Sequence, residues 1–103
     1  MSRQGVWSSG GFKPGDLVFF ADDNALHSGC TDGLIKVGEI LMCSALGGDG
    51  FWYFKRVKCE DGKLTLLPDR LYGYAWVIKT EKQLTSRQYH LLMAGDAIEW
   101  SFS

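Results

Sequence analysis

The sequence predicts a mainly β protein, a small barrel or sandwich of five to six strands with one short helix near residues 85–94. Short apolar runs alternate with turn residues along most of the chain, which is typical of strands joined by tight connections. Asp61-Gly62 lies between two such runs, the strongest short signal for a β-hairpin. Only one segment has helical spacing with capping residues at both ends.

The chain of 103 residues has room for one domain, and its hydrophobic content of 46% is sufficient for a core. Residues 1–14 are rich in glycine and serine, and we expect a flexible N-terminal arm there. A single β-rich domain is expected over residues 15–103. The predicted strands are residues 17–21, 37–45, 51–59, 63–67 and 71–79, with a last short strand within 97–102.

The helix is predicted from its ends. Thr85 and Gln88 have the spacing of a capping box, and Gly95 is a suitable residue for the C-terminal cap. Tyr89 and Leu92 share one helical face. Residues 22–36, by contrast, are rich in Asp, Asn, Ser and Gly and predict a long loop.

Composition excludes several classes of function. The net charge of -1 gives no general attraction to nucleic acid or membrane, and no apolar run is long enough for a membrane span. The three cysteines, Cys30, Cys43 and Cys59, have no framework spacing, so we expect reduced thiols and a cytoplasmic location. His27 and Cys30 lack a second close pair of ligands, so no metal site and no cofactor are expected.

The third predicted strand carries an unusual lysine. Alternation places Lys55 on the face of Tyr53 and Val57, whereas Trp52 and Phe54 share the opposite face with basic residues, as expected for a face exposed to solvent. A lysine on an apolar face either extends its amine to water or is partly desolvated. Desolvation would lower its pKa and make the amine a usable general base.

Four segments in order resemble a known family. They are Gly15-Asp16-Leu17-Val18, Gly38-Glu39-Ile40-Leu41, Phe54-Lys55-Arg56-Val57 and Leu64-Thr65-Leu66-Leu67-Pro68. Over about residues 15–70 the pattern resembles the C-terminal domain of LexA, UmuD and phage repressors. The resemblance implies a serine-lysine peptidase in which Ser8 is the nucleophile and Lys55 its general base. The chain departs from the family at Ser9, where the family has methionine, and in the proline that should follow.

Two further interpretations concern nucleic acids. Tyr72, Tyr74 and Trp76 share one face of the fifth predicted strand and, if exposed near Arg56 and Lys58, could stack bases. The alternative is that these rings belong to the core. Separately, the run from Gly48 to Arg56 and the later Leu84-Thr85-Ser86-Arg87-Gln88 are similar to a small accessory protein of one insertion-sequence transposon group.

The leading prediction is a non-catalytic interaction domain of bacterial or phage origin. It would bind a protein partner, or a second copy of itself, through an edge strand within residues 97–102. The serine-lysine peptidase and a nucleic-acid-binding or mobile-element accessory protein are the alternatives.

Overall fold

A computed structural model of the chain describes residues 5–22, 35–68 and 76–101. These ranges contain seven strands and one helix, with the following bounds. They are β1 (Val6–Trp7), β2 (Asp16–Asp22), β3 (Ile40–Leu46), β4 (Trp52–Glu60), β5 (Lys63–Leu66), β6 (Trp76–Gln83), α1 (Ser86–Met93) and β7 (Ile98–Glu99). The mainly β class with one short helix is therefore confirmed. No helix in these ranges has the length and apolar character needed to cross a membrane.

The seven strands form one antiparallel sheet in the order β1-β6-β2-β3-β4-β5-β7. The sheet is not closed into a barrel. Within the described residues, the end strand β1 pairs with β6 and the end strand β7 pairs with β5, and the two end strands do not pair with each other. Each end strand has only two residues.

The sequence predicted the β4–β5 hairpin correctly. Glu60 pairs with Lys63, which leaves Asp61 and Gly62 as a two-residue turn. Their φ angles are 55° and 73°, and positive values at both positions define the turn type that matches the twist of the flanking strands. Aspartate and glycine tolerate this left-handed backbone better than other residues, so the local sequence dictates the hairpin.

The sheet is buried on both faces. On one face lies the arm-side cluster, which consists of Phe12, Val18, Phe20, Ile35, Leu41, Cys43, Phe54 and Val77. On the other face lies the helix-side cluster, which consists of Leu17, Met42, Val57, Leu64, Leu84, Leu92 and Ile98. The expectation of a solvent-exposed face at Trp52 and Phe54 is therefore wrong. Phe54 is completely buried because Phe12 covers that face, with the two ring centroids 5.4 Å apart.

Helix α1 begins and ends as its capping residues predict. The Thr85 side chain accepts a hydrogen bond from the Gln88 N–H, and the Gln88 side chain accepts one from the Thr85 N–H. Gly95 follows the helix with a φ of 96°, in the left-handed region. Leu92 is the completely buried residue of the helix and attaches it to the helix-side cluster.

Part of the predicted arm is attached to the sheet. Val6 pairs with Val77 in β6, and the Ser8 carbonyl accepts a hydrogen bond of 3.0 Å from the Trp52 N–H in β4. The Lys79 amine donates to the Gly11 carbonyl at 3.2 Å. These contacts attach residues 6–11 to the sheet, whereas the flexibility of residues 1–14 stays a prediction.

Candidate interaction edge and the predicted site residues

Strand β7 forms one end of the described sheet, within the segment where an interaction edge was predicted. Ile98 lies opposite Leu64 and Glu99 opposite Lys63, and the Trp100 N–H donates to the Gly62 carbonyl at 2.9 Å. Backbone groups of successive strand residues point to opposite sides, so the N–H and C=O of Glu99 point away from β5. Neither group has a hydrogen-bond partner within the described ranges.

The side chains of this edge divide between two environments. Ile98 is 6% exposed in the helix-side cluster, and Trp100 packs against the same cluster. Glu99 is exposed and projects on the opposite face, where its direct cross-strand neighbour is the exposed Lys63. The edge therefore has an apolar side and a charged side.

A shallow, open depression of about 420 Å³ lies at the end of β7. The residues that line it are Asp61, Gly62, Lys63, Glu99, Trp100 and Ser101. Two carboxylates and one ammonium group are among them, so the lining has a formal excess of one negative charge. An indole and a charged rim are features of sites that receive a protein side chain.

Ser8 is buried rather than exposed. Its exposed fraction is 0%, and its hydroxyl oxygen has no hydrogen-bond partner in the part of the chain that the structure describes. A buried hydroxyl without a partner costs about 1–3 kcal/mol of free energy. For Ser8 to attack a substrate, the turn at residues 8–11 would first have to open.

Lys55 is half-buried on the helix-side face, directly opposite Met42. It lies three residues beyond Trp52, the residue whose N–H contacts Ser8, which corresponds to about 10 Å along an extended strand. Because the Ser8 hydroxyl has no hydrogen-bond partner, it is not bonded to the Lys55 amine. The pairing of these two residues in catalysis stays a prediction.

The predicted nucleic-acid residues are only partly described. Trp76 is half-buried, and its ring packs edge-to-face on Trp7 with centroids 5.0 Å apart, whereas Tyr72 and Tyr74 lie outside the described residues. Arg56 forms an ion pair with Glu39 at 2.9 Å.

Lys58 forms an ion pair with Glu60 at 3.2 Å. Both cations of the predicted nucleic-acid site thus face a carboxylate.

The sequence analysis did not identify Asp16 as a buried carboxylate. Asp16 is 1% exposed, its carboxylate accepts from the Lys13 N–H at 3.1 Å, and the Lys79 amine lies 3.6 Å away. The pKa of the neighbouring Cys43 thiol is raised to about 12, mainly by burial and additionally by the Asp16 carboxylate, while Lys79 opposes the shift. The turn at Pro14-Gly15 could have indicated the contact with Lys13, since aspartate in turns commonly bonds nearby backbone. The pairing with Lys79 is non-local and left no sequence signal.

The described cysteines form no metal centre. Cys43 and Cys59 are free thiols, and no group of three or more metal-ligating side chains occurs within the described ranges. His27 and Cys30 lie outside these ranges.

Comparisons of the chain with protein-family models, with curated proteins and with solved structures give no match.

Proposed function

We propose that the chain is a protein-interaction domain that binds an extended segment of a partner protein as an additional strand beside β7. The observation that carries this proposal is the outward direction of the Glu99 N–H and C=O at the end of the sheet. An extended peptide can satisfy both groups with main-chain hydrogen bonds, which is how many domains bind peptides at a sheet edge. The depression beside Trp100 would receive one of its side chains.

Charge favours a different protein over a second copy of the chain. Two copies of β7 paired antiparallel about Glu99 would place two Glu99 side chains directly opposite each other. Like charges in that position are destabilising. Self-association in this register is therefore the weaker form of the proposal.

The proposal can be tested with a neutral peptide, acetyl-Thr-Val-Gln-Val-Thr-amide, added to the isotopically labelled protein. Chemical-shift changes should be confined to β7 and its flanks, and exchange of the Glu99 amide proton should become slower because it gains an acceptor. Glu99→Pro should abolish the changes because proline lacks the N–H, whereas Glu99→Ala should retain them.

Three results contradict the proposal: changes centred on another element, no changes at all, or equal binding by the proline and alanine variants. If the free domain sediments as a dimer that forms through β7, the partner is a second copy of the chain and not a different protein.

A serine-lysine peptidase is the second candidate, and the buried Ser8 hydroxyl without a partner supports it. Unsatisfied polar groups are rare in native interiors and occur more often where function requires them. In this proposal the turn at residues 8–11 opens, Lys55 removes the hydroxyl proton and the Ser8 oxygen attacks a peptide carbonyl. The peptide C–N bond then breaks, the leaving amine takes the proton from Lys55, and water releases the acyl group from Ser8. The repressor-type relationship, the bacterial or phage origin and the cytoplasmic location are proposals that apply to the interaction domain and to the peptidase alike.

A fluorophosphonate probe for reactive serines tests the second candidate. Labelling of Ser8 that is lost in Ser8→Ala and Lys55→Met but kept in Ser9→Ala is the expected result. Equal labelling of all four proteins, or none, would contradict it.

A further inference from the structure

The charges at β7 indicate which side chains a partner strand should carry. This inference rests on the proposed function. We propose that the partner strand places a lysine or arginine directly opposite Glu99, between two apolar residues. The specificity then comes from the two faces of the edge, whereas the backbone supplies the general affinity.

The charged face selects a cation. Glu99 has Lys63 directly across on its inner side, in the pair that β5 and β7 form. Its outer backbone groups define a hydrogen-bonded pair with the incoming residue, whose Cα would lie about 5.5 Å away. A basic side chain there gives alternating charges across three strands, with Glu99 between it and Lys63. An acidic side chain would face the Glu99 carboxylate instead, and like charges directly opposite each other are destabilising.

The opposite face selects apolar neighbours. Residues before and after the cation project to the side of Ile98 and Trp100, because side chains alternate along a strand. Trp100 is half-buried against the helix-side cluster, so it lies at the boundary between that cluster and solvent. An apolar side chain beside it extends the cluster by one strand.

Two charged versions of the test peptide separate this inference from the proposed function. Acetyl-Thr-Val-Lys-Val-Thr-amide should bind about fivefold more tightly than the same peptide with glutamate at its centre. The difference should shrink in 1 M salt, because exposed charges are then screened. Glu99→Lys should reverse the preference, whereas Glu81→Lys, the same change at an exposed residue of β6, should leave it intact.

Equal binding of both peptides at β7, or a preference unchanged by Glu99→Lys, would overturn the inference about charge while leaving strand addition in place. Failure of both peptides to perturb β7 would overturn the inference about charge and the proposed strand addition together. Preference for the lysine peptide with shifts confined to β7 supports both.

Discussion

Replacing Lys79 with methionine tests how the N-terminal segment is held on the sheet. The Lys79 amine contacts the Gly11 carbonyl at 3.2 Å, the Asp16 carboxylate at 3.6 Å and the face of Phe12 at 5.5 Å from the ring centroid. Methionine keeps most of the length and apolar volume of the side chain but removes its charge. The almost completely buried Asp16 would then keep its hydrogen bond from the Lys13 N–H but lose its counter-ion.

The size of the effect follows from the separation and the burial. Two unit charges 3.6 Å apart attract each other by about 4.6 kcal/mol at an effective dielectric constant of 20. The Lys79 side chain is 40% exposed, and solvent screening reduces the net contribution. We therefore expect Lys79→Met to lower the free energy of unfolding by about 2 kcal/mol.

Urea denaturation of four proteins measures this coupling: the wild type, Lys79→Met, Asp16→Asn and the double variant. In the Asp16→Asn background the lysine substitution should cost only about 0.5 kcal/mol, because no buried charge is left without a counter-ion. Lys82→Met serves as a control, since this lysine of the same strand has no carboxylate partner within the described ranges. The same loss in both backgrounds would refute the electrostatic reasoning.

Three further outcomes are expected. Leu92→Ala should cost about 2–5 kcal/mol in denaturation, whereas Leu91→Ala, on the exposed side of the same helix, should cost about 0.5 kcal/mol or less. Thr85→Ala should lower the free energy of unfolding by about 1 kcal/mol, and an unchanged urea midpoint would contradict the role of the capping box. With a pKa of about 12, the Cys43 thiol stays protonated at pH 8, so mass spectrometry should find alkylation at the half-buried Cys59 well before Cys43.

Local chemistry determines the elements that the sequence predicted best. The hairpin at Asp61-Gly62 and the capping box of Thr85 and Gln88 depend on residues within three positions of each other. Strand β1 was missed because two residues carry too little pattern, and its pairing with Val77 is fixed only by the fold. Strand β6 continues to Gln83 through polar residues for a similar reason, as Asp16 pairs with Gln83.

Long-range packing explains the errors in the candidate site. The alternation of β4 predicted one buried face, but it could not reveal that Phe12 covers the other. The segment of the interaction edge was predicted from alternation at residues 97–102, and β7 lies there. The charges around this edge could not be predicted from the sequence. They depend on the hairpin residues Asp61 and Lys63 lying near Glu99 in the fold, and no local pattern indicates that arrangement.

Strand β4 has a consequence for cooperativity. It pairs with β3 on one side and with β5 on the other, and it supplies Phe54 to the arm-side cluster and Val57 to the helix-side cluster. Loss of packing in either cluster would remove the side-chain contacts on one face of β4. We therefore expect both clusters to be lost in one transition, so that fluorescence and circular dichroism give a single common midpoint on heating.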